Sequence, residues 1–233
     1  MSKSQELAIV LVSGGMDSLT TAAIANGSHE RLAFLHLNYG QKTEAKELEC
    51  FRNIAKFYNV PETHQKVIDV SFLSQIGGSS LTDQGINVKT YQGESDEIPD
   101  SYVPFRNTHI IAMAVSWSEV IGAKKIYIGA VEEDSSGYPD CRPNYYQAYN
   151  ALIKEGTKEG DIEIVTPVID LQKSSIIQRA IDLKAPLQFT WSCYAREDKA
   201  CGVCDSCALR LRGFQKINIE DPIEYEQRPN YLG

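Results

Sequence analysis

The segment LAIVLVSGGMDSLTTAA, residues 7–23, constrains the fold more than any other stretch of this chain. A β-rich apolar run over 7–12 meets two adjacent glycines and then a helix-forming tail over 18–25, with Gly27 as its expected stop. A turn from strand to helix leaves backbone N–H groups free at the positive end of the helix dipole, so it attracts an anion. The glycines let that anion approach the backbone closely. A second apolar run over 32–39 completes a β-α-β unit.

The alternation continues along the chain. Ala45, Leu48, Phe51, Ala55 and Tyr58 recur at helical spacing, which predicts a helix over 43–58 with one buried face. A weaker strand is expected at 67–70. Residues 74–104 turn rich in Gly, Ser, Asp, Glu and Pro, and an irregular stretch of that length inside a domain reads as an active-site lid or a disordered insert. A helix over 107–122, a strand over 125–131, a helix from about residue 144, a strand over 162–165 and a helix over 173–184 follow. The expected fold is α/β, Rossmann-like: a parallel sheet with helices on both faces, binding its ligand beyond the carboxyl ends of the strands. Its 233 residues fit one α/β domain, 1–186, with a small C-terminal segment, 187–233.

The first loop fails three familiar tests. A Walker loop needs Lys before its hydroxyl residue, a nucleophile elbow needs Gly-x-Ser-x-Gly, and a dinucleotide fingerprint needs three spaced glycines. What remains is an anion site over Val12, Ser13, Gly14, Gly15, Met16, Asp17, Ser18, Leu19 and Thr20. Asp17 would repel a polyphosphate unless a cation such as Mg²⁺ bridges the two, so a metal-bridged nucleotide triphosphate is the expected ligand. The bland alternative is a Gly-rich turn in which Asp17 caps the helix.

Four cysteines, Cys193, Cys201, Cys204 and Cys207, stand close together, and four thiolates at this spacing can close a tetrahedral site without a further ligand. A closed structural Zn²⁺ site is favoured over an iron–sulfur cluster or a sulfur-passing pair. Cys50 and His36 read as core residues, and Cys141 is harder to place. The net charge of -8 argues against a nucleic-acid backbone as partner. No apolar run reaches the roughly 20 residues needed to span a bilayer, and no secretory leader pattern opens the chain, so a cytoplasmic protein is expected.

Ser13–Ser18 resembles the SGGxDS loop of the PP-loop (N-type) ATP pyrophosphatases, adenine nucleotide alpha hydrolase-like proteins that activate a carbonyl oxygen by adenylation. Together SGGMDS, LNYGQ, VPFRN, SGYPDCRP and TWSCYAREDKACGVCDSCALRLRGF occur in the order seen in the QueC family. That resemblance covers nearly the whole chain. It implies an ATP-dependent carbon–nitrogen ligase that turns 7-carboxy-7-deazaguanine and ammonia into the nitrile preQ0 for queuosine biosynthesis, with zinc on the four cysteines and a homodimeric state. Ammonia would come from solution or from a partner.

For catalysis we expect Asp17 at the metal, with Arg106 and Lys173 stabilising phosphate charge. Tyr138, Asp140 and Arg142 are the expected substrate contacts, because a flat base stacks on Tyr, a carboxylate accepts a purine's N–H donors and an Arg fork holds a carboxylate. A tRNA thiolase, a QueC-like enzyme using another acceptor, and a non-catalytic nucleotide sensor are the competing readings; the acidic pI near 5.1 counts against the thiolase.

Overall fold

The structure, a computed structural model, describes residues 3–93, 97–132 and 138–232. Residues 94–96 of the expected lid and 135–137 of the expected substrate loop lie outside them. Five parallel strands form one sheet in the order β3-β2-β1-β4-β5: β1 Ser4–Leu11, β2 His29–Asn38, β3 Gln65–Asp69, β4 Lys125–Tyr127 and β5 Glu163–Val165. The helices are α1 Met16–Ser28, α2 Glu44–Phe57, α3 Phe72–Ile76, α4 Arg106–Ile121, α5 Pro143–Gly156, α6 Lys173–Asp182 and α7 Asp205–Lys216.

The central strand explains the layering. Successive side chains of a strand point to opposite faces, and both faces of β1 are apolar, as a sheet covered on both sides requires. Leu7, Ile9 and Leu11 pack with Ile111 and Trp117 of α4 and Tyr146 of α5. Ala8 and Val10 pack with Leu19 of α1, Phe51 of α2, Ile177 of α6 and Phe214 of α7. The chain leaves β1 toward β2 on one side and returns as β4 on the other, so the crevice at their carboxyl ends is the topological switch point.

Three expectations need correction. Gly27 does not stop α1, which runs to Ser28 and begins at Met16; a single glycine inside a helix costs only about 1 kcal/mol, and no Cβ neighbour constrains it there. Residues 74–104 are not uniformly irregular: Ser80 N–H donates to Asp100 O at 2.8 Å, Lys42 N–H donates to Leu81 O at 3.0 Å, and Ser79, Ser80 and Leu81 are buried. Helix α7 was not expected, because its first turn is occupied by metal-type cysteines that mask the helical pattern. It buries Leu211 and Phe214 and so joins residues 187–233 to the main core.

Candidate active site

The loop after β1 is built by close backbone approach. Val12 N–H extends the ladder to Leu35 O at 2.9 Å, then Gly14 turns at φ +91°. A Cβ on Gly14 would lie 2.7 Å from the Glu47 carbonyl oxygen, so only glycine fits between β1 and α2. Trp191 N–H donates to Gly14 O at 2.9 Å and fixes the loop from the C-terminal segment. The N-cap of α1 is Gly15, which brings no side-chain acceptor, so the first amides of the helix remain available to an anion. Ser13 Oγ accepts from Gly15 N–H at 3.2 Å, and Ser18 Oγ donates to Gly15 O at 2.8 Å.

This geometry removes the bland reading of Asp17. It is not the cap but a first-turn residue whose two carboxylate oxygens each accept from Lys173 Nζ at 2.9 Å. Lys173 opens α6, and its stem packs under Gly213 of α7, where a Cβ would sit 2.9 Å from Lys173 Cγ. Across the crevice, Gly129 follows β4 against the same turn; a Cβ there would lie 2.7 Å from the Asp17 carbonyl carbon.

A cavity of about 290 Å³ opens beside the loop. It is lined by Val12, Ser13, Gly15, Met16, Asp17 and Ser18 at one end and by Arg106, Tyr138 and Lys173, all expected from the sequence. Leu19 and Thr20 are fully buried within α1 instead, and Thr20 Oγ1 donates to Met16 O at 2.9 Å. Arg106 is aimed by Phe105, which adopts a left-handed φ of +59°, a conformation costly for a bulky residue and one that clusters at functional sites. Arg106 Nη1 donates to the Tyr39 hydroxyl at 3.2 Å, and its guanidinium stacks 5.1 Å from the Tyr39 ring centre.

The expected substrate loop divides. Tyr138 lines the cavity, and its hydroxyl shares a 2.6 Å hydrogen bond with Ser101. Asp140 is buried and turned to the start of α4, where its carboxylate accepts from Asn107 N–H at 3.1 Å. That arrangement neutralises a helix N-terminus rather than facing the cavity. Arg142 is exposed and serves as the N-cap position of α5. Among the described residues, neither Asp140 nor Arg142 lines the cavity.

Sequence reasoning assigned no role to Tyr39, Glu47, Tyr194, Asp205 or Arg210, all of which line the cavity. Glu47 hides inside a helix with an ordinary apolar face. Its carboxylate accepts from Gln41 Nε2 at 3.0 Å and Thr43 Oγ1 at 2.7 Å, and burial pushes its pKa up to about 7. Tyr39 and Gln41 belong to the LNYGQ motif, which was a visible signal without an assigned function. His36 is a core residue as expected: Nδ1 pairs with Val12 O at 2.9 Å, its ring packs on Phe51, and burial holds its pKa below the usual histidine value. Cys50 is buried, and burial pushes its thiol up to about 12, so it is inert.

The sulfur atoms of Cys193, Cys201, Cys204 and Cys207 all lie within 4.8 Å of one another. Cys201 Sγ and Cys207 Sγ are 3.9 Å apart, close to the roughly 3.8 Å edge of a tetrahedron with Zn–S bonds of about 2.3 Å. Backbone N–H groups of Ala195 and Cys201 point at Cys193 Sγ, and those of Val203 and Cys204 at Cys201 Sγ, at 3.3–3.4 Å. Such donors stabilise thiolate, the form a metal binds. The site is tied to the cavity through Arg210, whose guanidinium donates to Asp221 at 2.6 and 2.9 Å and to Thr190 Oγ1 at 2.8 Å, flanking Trp191.

Fold and site together define a parallel α/β enzyme with a glycine-rich strand-to-helix turn at its switch point and a four-cysteine metal-type cluster beside it. The chain belongs to the QueC family, described as queuosine biosynthesis protein QueC, which matches residues 7–218. It is 58% identical over 226 residues to 7-cyano-7-deazaguanine synthase from Chlorobaculum parvum, covering 97% of this chain and 99% of that protein. It is 56% identical over 228 residues to the protein of the same name from Chloroherpeton thalassium, with the same coverages. Among solved structures it is similar to the NH3-dependent NAD synthetase from Campylobacter jejuni, at 18% identity and a TM-score of 0.48 over 81% of this chain and 68% of that one.

Proposed function

We propose that this chain converts 7-carboxy-7-deazaguanine and ammonia to 7-cyano-7-deazaguanine at the expense of ATP. The observation that carries the reading is the single cavity that joins the Ser13–Ser18 turn and its Asp17–Lys173 pair to Arg106 and the aromatic Tyr138. The full-length relatives with that printed name support the same substrate.

The turn's amides and the hydroxyls of Ser13 and Ser18 hold the polyphosphate, and Lys173 neutralises charge that builds on it. Arg106 orients the substrate carboxylate so that its oxygen faces the α-phosphorus. Attack there forms the acyl adenylate and releases pyrophosphate. Ammonia then adds to the acyl carbon, AMP departs with the carboxyl oxygen, and the amide results. The amide oxygen repeats the attack on a second ATP; loss of AMP and the N–H protons leaves the nitrile. Leu81, Pro99 and Ser101, which line the cavity, exclude water that would hydrolyse the adenylate.

Asp17 would hold Mg²⁺, which supplies charge neutralisation of the phosphates. The four cysteines would hold a structural Zn²⁺ that fixes residues 187–233 as a segment on the α/β domain of residues 1–186. The thiol-rich, disulfide-free chain suits a reducing cytoplasm, and the family resemblance supports a homodimer. Among the described residues no helix is long and apolar enough to cross a membrane.

The test is direct. Protein with one zinc per chain is incubated with ATP, Mg²⁺, ammonium and 7-carboxy-7-deazaguanine, and amide and nitrile are sought by mass. Both are expected in sequence; neither appearing overturns the reading.

A further inference from the structure

With Asp140 committed to the start of α4, a guanine-like base still needs an anionic acceptor for its ring N–H and exocyclic amine. We propose that Asp205, at the start of the cysteine-bearing helix α7, is the specificity residue that accepts them. The inference rests on the carboxy-deazaguanine reading above.

Asp205 and its neighbour Ser206 line the cavity that also holds the phosphate turn and Arg106. Among the described residues no hydrogen bond or ion pair occupies the Asp205 carboxylate, and the cation near it, Lys89, is bound to Asp100 at 2.8 Å. A partly buried carboxylate left open toward a cavity is costly unless a ligand supplies donors. Its position is rigid, because it lies between Cys204 and Cys207, both buried in the metal-type cluster.

The surroundings suit a flat heterocycle. Tyr138 lies within electrostatic reach of both Arg106 and Asp205, and Tyr194 and Ser206 line the same cavity. Both tyrosines line the cavity together with Arg106 and Asp205, so one space offers aromatic faces, a cation for a carboxylate and an anion for N–H donors. A carboxylate accepts two parallel N–H bonds, which a neutral side chain cannot do with equal strength. The base then lies with its reactive carboxyl group toward the phosphate turn.

The experiment compares wild type, Asp205→Asn and Asp205→Glu, each checked for zinc content, with 7-carboxy-7-deazaguanine and with its analogue lacking the 2-amino group. In Asp205→Asn the KM for the natural substrate is expected to rise about 10- to 100-fold, with KM for ATP and zinc content unchanged. Wild type should reject the analogue by a similar factor, and Asp205→Asn should lose that discrimination. An Asn variant that keeps the wild-type KM, or still discriminates, overturns the proposal. Should Asn fail to fold, the same discrimination ratio read in Asp205→Glu decides, since a longer carboxylate shifts it only if the group touches the base. If wild type forms neither amide nor nitrile, the enzyme reading has failed by itself. Calorimetric binding of the two bases then still judges Asp205.

Discussion

Lys173 Nζ stands 2.9 Å from both carboxylate oxygens of Asp17, joining residues 156 positions apart across the mouth of the phosphate turn. The pair is mostly shielded, with side-chain exposures of 13% and 29%. A carboxylate that would repel phosphate is thus held beside a lysine able to offer its charge to the incoming nucleotide. Lys173→Met should lower kcat by about 100- to 1,000-fold, the usual loss on removing one transition-state donor. Asp17→Asn should abolish the dependence of ATP affinity on Mg²⁺. Steady-state kinetics and ATP binding over a Mg²⁺ series check both; unchanged kcat in the lysine variant would remove it from the chemistry.

The two glycines that grip the turn make a second prediction. At Gly129 an added methyl meets the Asp17 carbonyl carbon at 2.7 Å and the Ser18 amide nitrogen at 2.8 Å, backbone atoms that cannot swing aside. Gly129→Ala should push α1 off β4, destabilise the protein by about 1–3 kcal/mol and raise KM for ATP more than KM for the base. Equal changes in both KM values would show that the site loosens as a whole.

Glu47 predicts a pH effect. Burial raises its pKa from 4.5 to about 7, so the folded chain binds this proton more tightly than the unfolded chain. The stability this group contributes is complete below about pH 4.5 and is lost as pH rises to about 7. Glu47→Gln lacks that loss. Its melting temperature should match wild type near pH 4.5 and exceed it above pH 7, by on the order of 1–3 kcal/mol in stability. A pH-independent difference in thermal melts would show that the carboxylate is already ionised on burial.

Arg210 and Asp221 form an ion pair with side-chain exposures of 1% and 0%. Arg210→Met strands the Asp221 charge and should cost about 3–5 kcal/mol in urea unfolding. Adding Asp221→Leu should recover part of that loss, because two apolar side chains replace the pair without a stranded charge. No recovery would mean that the bonds from Arg210 to Thr190 and Ser192 carry the effect.

The sheet and the strand-to-helix turn after β1 were legible because both depend on local pattern. Residues 7–12 and 32–39 are apolar runs that no surface helix would carry, and SGGMDS has a spacing set by one turn of backbone. The four cysteines were legible for the same reason. Asp140 was misplaced because a carboxylate suits a helix N-terminus as well as a purine edge, and only the packing of the 139–141 turn on α4 chooses between them. Glu47 and Asp205 were invisible for another reason. One sits in a helix whose polar residues look solvated, the other between metal-type ligands, and each enters the cavity through contacts between distant segments. The Asp17–Lys173 pair also had no sequence signal, since nothing local relates residues on α1 and α6.

The place of β1 in the middle of the sheet has a consequence for how the protein is made. The ribosome releases the turn after β1 well before its flanking strand β4, which begins at Lys125, and the Trp191 tether comes later still. At about 5–20 residues per second, roughly 10–35 s separate the appearance of the turn from that of its last support. A nascent chain that has not yet reached Trp191 therefore carries this turn without its tether, and the close-packed geometry around Gly14 arrives only once that residue has emerged.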